Sequence, residues 1–339
     1  MATLKDVAKL AGVSVATASR VLNNNKNVSP ENHQAIMQAM KTLNYTPNYL
    51  GRSLRMSSSK KILVLLPTLS NQFYSRVVLG IEDVANMHNY NVIVASTHAV
   101  HATEDNYLNL LFTRLVDGLI LFSTTQSESR LNEIAACYPV VQCCEYKNGT
   151  NLSRVTIDNT SAAYDATRHL LDCGHTKIAL IAAGDTPGTS ADRLSGYRKA
   201  LDDAGIPFQP EYVVHANYSP YLALDACEEL MCLNNPPTAI FCISDGMAIG
   251  AMRKLSEMGK RVCEDVALMG FDNTSITEFY TPSITTIAQP RYEIGKTAME
   301  LMLKKLVDVN SRTEFITMPH KLIVRQSTVK DAPLTFSRT

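Results

Sequence analysis

The stretch TLKDVAKLAGVSVATASRVLN, residues 3–23, decides the fold of the first part of the chain. Thr3 and Asp6 have the spacing of a capping box, which predicts a helix that begins immediately after Thr3. Gly12 ends this helix, because glycine readily adopts the left-handed conformation that closes a helix. Ser14 then caps a second helix that runs to the end of the stretch. A helix, a glycine turn and a second helix at this spacing are typical of the helix-turn-helix.

A third helix completes this unit. Ser29 is its cap and Pro30 its first residue, an arrangement that helices favour. Apolar residues recur at helical spacing in all three segments and predict one small core. They are Val7, Ala8, Leu10 and Ala11 in the first helix, Ala18, Val21 and Leu22 in the second, which is predicted over Val15–Asn23, and Ala35, Ile36, Ala39, Met40 and Leu43 in the third.

Basic residues concentrate in the same part of the chain. Residues 1–60 carry a formal net charge of +6, the remainder carries −6, and the whole chain is neutral. A basic head on an acidic body predicts that the head alone meets a polyanion. Together with the helix-turn-helix pattern this favours DNA binding, although small helical domains with other roles contain similar turns.

Length and composition set further bounds. A chain of 339 residues with 45% hydrophobic and 19% charged residues favours two or three domains with ordinary buried cores. No run of 18 apolar residues is present, and the opening MATLKDVAKL is too charged for a secretory signal, so we expect a cytoplasmic protein without a membrane span. None of the eight cysteines forms C-x-x-C, so we expect buried thiols. The histidines do not cluster at ligand spacing, so we expect neither a metal nor a cofactor.

From residue 61 onward, apolar runs alternate with amphipathic segments. Nearly all-apolar strands between helices predict parallel sheets covered on both faces, and the length favours two α/β lobes. Ligands of such sheets bind beyond the carboxyl ends of the strands. The predicted strands are Ile62–Pro67, Val92–Ser96, Gly118–Phe122, Val140–Cys143, Val155–Ile157, Ile178–Ala182, Ala239–Ile243, Val266–Gly270 and Ile284–Ile287.

Motifs of the common α/β enzymes are absent. The sequence has no G-x-G-x-x-G after a strand, and no G-x-x-x-x-G-K-[ST], H-E-x-x-H or G-x-S-x-G. We therefore expect no enzymatic activity and no catalytic residues. A protein that only binds a small molecule is an alternative, which the basic head disfavours.

The head resembles the lactose/galactose repressor (LacI/GalR) family, because residues 3–23 and the later VSPEN and LNYTPN match its signature. The body resembles the family along its full length, through GIEDVA, DGLILF, IDNTSAAYDATRHLLDCGHTKIALIA, RLSGYRKAL, PPTAIFCISDGMAIGAMR, GFDN, TTIAQPRYEIG and RQST. QPRYEIG is most similar to the cytidine-repressor and catabolite-control branches. The resemblance implies a transcriptional repressor, with a catabolite regulator that uses a phosphoprotein co-regulator as the alternative.

The resemblance also implies an α/β fold with a defined domain order. A three-helix helix-turn-helix head spans 1–46, a hinge helix and linker span 47–60, and an effector-binding, dimerising body spans 61–339. The body is expected to have two lobes with parallel sheets, as in periplasmic sugar-binding proteins. Lobe 1 is expected at about 61–158 and 291–319 and lobe 2 at about 162–288 and 323–332, with three crossovers between them. The polar, proline-broken tail VKDAPLTFSRT disfavours a terminal coiled coil.

By the same resemblance, the second helix reads DNA bases through Val15, Ala16 and Arg20. Arg20 suits a bidentate contact to guanine and the other two suit thymine methyl groups, unless they merely pack. Further DNA contacts are implied at Ser14, Thr17, Ser19, Asn23, Asn27, Tyr45, Asn48 and Arg55.

Leu54 falls on the position of the family's hinge leucine. The resemblance implies that its apolar side chain enters the minor groove as a wedge. The alternative is that Leu54 docks on the body. Gly51 stands where the family usually has alanine and costs about 1 kcal/mol of helix stability. Two hinge helices, one from each subunit, act at one site, so we expect a homodimer. Its expected partner is double-stranded DNA with a near-palindromic operator.

The resemblance finally implies a small-molecule effector, of the sugar or nucleoside class, bound between the lobes. Aromatic rings suit stacking on a sugar or base, and arginine and aspartate suit vicinal hydroxyl groups. Asp158 and Asp272 could instead cap the helices that follow them. Ser244 replaces a frequent asparagine and disfavours a galactoside. The implied effector-binding residues are Asn71, Phe73, Tyr74, Asp158, Arg193, Tyr218, Asp245, Asp272 and Gln289.

Overall fold

The computed structural model describes residues 2–22, 28–45, 58–184 and 188–333. The chain divides into two compact units, a head of Met1–Ser59 and a body of Lys60–Thr339. No helix among the described residues is both long and apolar enough to cross a membrane.

The head has three described helices, α1 (Leu4–Leu10), α2 (Val15–Leu22) and α3 (Pro30–Thr42). The predicted caps are confirmed: Thr3 and Asp6 form the capping box, and the side chains of Ser14 and Ser29 accept backbone N–H bonds of α2 and α3. The buried core residues are Val7, Ala8, Ala18, Val21, Ile36 and Ala39. Leu10 is 54% exposed, so its predicted place in the core is wrong.

The body alternates strands and helices. Its strands are β1 (Lys61–Leu66), β2 (Asn91–Ser96), β3 (Gly118–Leu121), β4 (Val140–Cys143), β5 (Ser153–Ile157), β6 (Ile178–Ala182), β7 (Val213–His215), β8 (Ala239–Cys242), β9 (Ala267–Asp272), β10 (Thr285–Ala288), β11 (Phe315–Met318) and β12 (Lys321–Ile323). Its α-helices are α4 (Gln72–Met87), α5 (His101–Phe112), α6 (Glu128–Cys137), α7 (Asn159–Asp172), α8 (Thr189–Asp203), α9 (Pro220–Met231), α10 (Asp245–Glu257) and α11 (Arg291–Val307).

These strands form two six-stranded sheets, one per lobe. The sheet of lobe 1 has the order β11-β5-β4-β3-β1-β2, and that of lobe 2 the order β12-β10-β9-β8-β6-β7. The chain passes between the sheets after β5, after β10 and after β11. The predicted parallel sheets are confirmed: all strand pairs are parallel except β10 with β12 at one edge, which is antiparallel.

All nine predicted strands are present, and three further strands were not predicted. β7, β11 and β12 are three or four residues long and lie at sheet edges, where partial exposure interrupts the apolar run that identifies a buried strand. β2 is the fourth edge strand. Its Ile93 and Val94 are 37% and 36% exposed, so the prediction that this run is buried is wrong.

Close helix packing covers the sheets. α4 packs on α11, α7 on α8, and α9 on α10. Glycine permits each approach: a Cβ atom on Gly80 would lie 2.1 Å from the carbonyl oxygen of Tyr292, and one on Gly295 would lie 1.9 Å from that of Val77. Gly196 and Gly250 meet backbone oxygens of the neighbouring helix in the same way, at 2.1 Å each.

The cysteines agree only in part with the expectation of buried thiols. All eight are free, but Cys137, Cys173 and Cys232 are exposed and Cys263 is half-buried. Each exposed one lies at or just after the last residue of a helix, where an apolar neighbourhood in the sequence does not ensure burial.

Gly295→Ala is expected to destabilise the body by about 2 kcal/mol, because the new methyl group must separate α11 from the backbone of α4. Urea unfolding of the full chain measures the change. Gly246→Ala is the matched control: no atom lies within 4 Å of its added Cβ, and alanine should raise stability by about 0.5 kcal/mol. Equal effects of the two substitutions would contradict this account of helix packing.

Candidate functional site

A pocket lies between the two lobes and encloses about 380 Å³ of space, part of it open to solvent. The enclosed cavity volume is about 30 Å³, far below the several hundred Å³ of typical ligand pockets. Its walls come from the segments that follow the carboxyl ends of β1, β4, β6, β7, β9 and β10. The lining residues are Asn71, Phe73, Tyr74, Cys144, Glu145, Arg193, Tyr218, Asp272 and Gln289.

Seven of the nine residues implied as effector-binding are therefore brought together. Cys144 and Glu145 also line the pocket and were missed. They directly follow a strand that was predicted over Val140–Cys143, so the rule that ligands meet the ends of strands would have found them.

Aromatic rings form one side of the pocket. Phe73 and Tyr74, at the start of α4, contact each other edge to face with their centroids 5.4 Å apart, and Tyr74 contacts Phe122 in the same way. Asn71 caps α4 by accepting the backbone N–H of Phe73 at 2.9 Å, which fixes the direction in which these rings enter the pocket. Tyr218, from lobe 2, is 37% exposed.

Arg193 supplies the cationic group of the pocket from α8. Its Nε donates to Oδ1 of Asn159 at 3.0 Å, and its Nη1 donates to the carbonyl oxygen of Ile243 at 2.5 Å. One face of the guanidinium lies 3.7 Å from the ring centroid of Phe271. Arg193 is thus held by three elements of lobe 2 as well as facing the pocket.

Asp272 is the strained residue of the site. Its φ of +115° lies in a region that side-chain-bearing residues rarely adopt, and such strain concentrates at functional sites. Its Oδ1 accepts a bond from Nε2 of Gln289 at 2.8 Å. Burial raises the pKa of Asp272 above the usual carboxyl range, although the charge of Arg193 opposes this.

The next residue, Asn273, is fixed by two arginines. Arg325 Nη2 donates to its Oδ1 at 2.9 Å, and Arg291 Nη2 donates to its carbonyl oxygen at 2.7 Å. Arg325 also forms a buried ion pair with Glu278 at 3.1 Å. These bonds hold the strained turn after β9 in place.

Two consecutive residues of lobe 1 contact the first turn of α8 in lobe 2, and we call them the clasp. Glu145 accepts the backbone N–H of Thr189 at 3.4 Å and also the hydroxyl of Thr189. The hydroxyl of Tyr146 donates to Asp192 at 2.5 Å. Because Gly188, at the N-cap, has no side chain, Glu145 caps α8 from the opposite lobe.

Two of the implied effector residues lie outside the pocket. Asp158 caps α7 by accepting the N–H of Ser161 at 2.9 Å and lines a separate cavity with Arg154 and Phe315. Asp245 is fully buried and accepts three hydrogen bonds, from the N–H and hydroxyl of Thr274 and from the hydroxyl of Thr286. Its carboxyl therefore braces the loop after β9 and does not face the pocket. The structure places both where they stabilise the fold.

In the head, α2 presents one exposed face. Ser14, Val15, Ala16 and Arg20 are exposed, with Val15 at 43%, while Thr17 and Ser19 are half-buried. Tyr45 packs partly against the head core. The remaining implied DNA contacts, Asn23, Asn27, Asn48, Leu54 and Arg55, lie outside the described residues.

Asp272→Asn is expected to stabilise the protein at pH 8 by roughly 1–3 kcal/mol. With its folded pKa raised, the carboxyl holds a proton more tightly in the folded state, so its contribution to stability falls as pH rises above the usual carboxyl range. The difference should vanish near pH 4. Urea unfolding at pH 4, 6 and 8 measures it, with the exposed Asp202→Asn as control. A variant less stable than the native protein at pH 8 would show that the favourable charge of Arg193 outweighs the cost of burial.

Comparison with known proteins agrees with both units. Residues 3–48 match the family model described as bacterial regulatory proteins, lacI family. Residues 59–326 match the model described as periplasmic binding proteins and sugar binding domain of LacI family.

Relatives match along nearly the whole chain. The HTH-type transcriptional repressor CytR of Escherichia coli strain K12 is 36% identical, with 96% of each chain covered. Catabolite control protein A of Priestia megaterium is 34% identical, covering 96% of this chain and 99% of its own. The crystal structure of the Lac repressor dimer bound to operator and the anti-inducer ONPF superposes with a TM-score of 0.84 at 28% identity, covering 96% of this chain and 99% of that one. The chain therefore belongs to the LacI family and is a DNA-binding transcriptional regulator of bacteria.

Proposed function

We propose that this protein is a homodimeric repressor that binds a near-palindromic operator and changes its operator affinity when a sugar-like or nucleoside-like effector binds between the lobes. The observation that supports this best is the pocket, where both lobes contribute aromatic, carboxyl and guanidinium groups to one space. The proposed role is not enzymatic and places the protein in the bacterial cytoplasm, with the nucleoid.

The head supplies the DNA contacts in this proposal. The exposed face of α2 carries small side chains that allow close approach to the major groove, and Arg20 can offer two donors to guanine. Ser14, Thr17 and Ser19 suit phosphate contacts, which fix register without reading sequence. The +6 charge of residues 1–60 supplies the salt-dependent part of the affinity. Leu54 is proposed to kink the operator.

The pocket supplies the effector site. Phe73 and Tyr74 offer ring faces and edges, while Arg193, Asp272 and Gln289 offer hydrogen bonds to hydroxyl groups. Since the walls belong to both lobes, a ligand that contacts them stabilises the closed arrangement over an open one. It shifts the equilibrium only by the difference between its affinities for the two arrangements.

The dimer surface is proposed at the β2 edge of lobe 1. Ile93 and Val94 on β2 and Val100 just after it are exposed apolar side chains. An edge strand with exposed apolar residues is usually covered in the native assembly. One relative of known structure is a Lac repressor dimer, which supports the same state here.

Arg20→Ala is expected to cost roughly 1–3 kcal/mol on the preferred operator and to relax the preference at one base pair, because a bidentate base contact is lost. Operator selection from random duplexes followed by titration measures both effects. The control is Lys5→Ala, an exposed basic residue on α1, which should weaken binding to all sequences alike. Uniform weakening by Arg20→Ala would instead make Arg20 a phosphate contact.

Ile93→Asp with Val94→Asp is expected to convert the dimer to monomers, since charges at the proposed surface resist burial. Sedimentation equilibrium gives the mass of the full chain, and operator affinity should fall with the loss of the paired heads. Phe315→Asp is the control, because Phe315 is 58% exposed on the opposite edge strand of the same sheet. A dimer that survives the β2 changes but is lost on Phe315→Asp would place the interface at the other edge.

A further inference from the structure

Two carboxyl groups and one guanidinium group of the described residues line the pocket. Glu145 and Asp272 bring two carboxyl groups, and Arg193 is the one cationic side chain among the described lining residues. The segment 185–187, whose structure is not described, has the sequence Asp-Thr-Pro and so contains no lysine or arginine. Because burial raises the pKa of Asp272 to about 8, Glu145 and Arg193 are the charged groups near neutral pH, and no further described lining residue offers a cation to an anionic ligand.

The guanidinium of Arg193 also forms most of its contacts within the protein. Nε of Arg193 donates a hydrogen bond to Asn159, and Nη1 donates one to the carbonyl oxygen of Ile243. One face of the guanidinium lies against the ring of Phe271. Arg193 is 5% exposed. Its charge must also balance that of Glu145, which lines the same pocket. Little of this guanidinium is left to pair with a phosphate or carboxylate of a ligand.

The N-terminus of α8, which would also attract an anion, is already capped by Glu145. The N-terminus of a helix carries unpaired N–H groups and partial positive charge, and it is a common seat for phosphate. α8 has 15 residues and begins beside the pocket, but Glu145 accepts the N–H and hydroxyl of Thr189 in its first turn. The carboxylate of lobe 1 therefore stands where an anionic group of a ligand would otherwise bind.

The same charge affects the neighbouring ring. Burial, followed by the negative charge of Glu145, raises the pKa of Tyr74 well above its ordinary value. The hydroxyl of Tyr74 thus remains a hydrogen-bond donor to higher pH than an ordinary tyrosine.

We propose that Glu145 is a specificity residue that excludes phosphorylated and other anionic effectors and selects an uncharged or cationic compound with a hydrogen-bond donor facing its carboxylate. This inference rests on the proposed effector site and narrows its ligand class. Nucleosides and free sugars satisfy it, whereas nucleotides, sugar phosphates and sugar acids do not. The exclusion follows because a buried anion without a counter-charge loses its hydration and meets the repulsion of Glu145.

The test compares neutral compounds with their phosphates on the full chain. Adenosine, cytidine, ribose and glucose are titrated by calorimetry against AMP, CMP, ribose 5-phosphate and glucose 6-phosphate. We expect at least one neutral compound to bind and its phosphate to bind roughly tenfold more weakly or worse. Glu145→Gln should reduce this difference in affinity between the neutral compound and its phosphate by about tenfold. The amide keeps an acceptor for Thr189 but removes the negative charge from the start of α8. Glu300 is exposed on α11, so Glu300→Gln should leave the difference in affinity unchanged.

Two results would overturn the inference, and they differ. A phosphate that binds as tightly as its neutral parent, or a difference in affinity that Glu145→Gln does not reduce, contradicts the role of Glu145 and leaves the proposed function standing. Failure of all eight compounds to bind the native protein contradicts the proposed effector site as well, and the inference falls with it.

Discussion

The constraint on which the rest of the body depends is that the chain crosses between the two sheets three times, after β5, β10 and β11. Each lobe is therefore completed by residues from distant parts of the sequence, and neither lobe closes as an independent folding segment. The crossings also place the carboxyl ends of strands from both sheets around one space, where open α/β sheets bind their ligands. The pocket, the clasp and the strained turn at Asp272 all lie in segments that follow those strand ends. A change in the angle between the lobes would thus alter contacts in the pocket, in the clasp and at the turn of Asp272.

The site also stores unfavourable energy that the surrounding structure holds in place. Asp272 combines burial, a positive φ and a raised pKa, while Asn273 beside it is pinned by Arg325 and Arg291. A buried carboxyl group of this kind reduces stability when it ionises, unless partners compensate its charge. The presence of such groups in a pocket is typical of binding sites, where stability is lost in return for a preorganised set of polar groups. Glu145 fits the same description, because it contacts the other lobe and faces the pocket at once.

The sequence was informative wherever the relevant contacts are local or periodic. Ser14, Ser29 and the Thr3–Asp6 pair bond backbone groups three residues away, so their capping roles could be predicted. Buried strands were found by their apolar runs, whereas β7, β11 and β12 were missed because edge strands lack such runs. The bond from Thr189 to Glu145 spans 44 positions, and no local pattern indicates it. For the same reason the sequence could not separate Asp158 and Asp245, which face elsewhere, from Asp272, which lines the pocket, since all three directly follow strands or the loops after them.

We propose that effector binding between the lobes and operator binding by the head are linked. The most direct test is to measure the dissociation constant of one bound effector with and without saturating operator duplex, and that of the operator with and without saturating effector. Linkage requires the two ratios to be equal, and coupling of this kind typically changes affinity by roughly 5- to 150-fold. We predict two equal ratios of dissociation constants that both differ from one. An effector that fills the pocket and binds with the same affinity in the presence and absence of operator would contradict it.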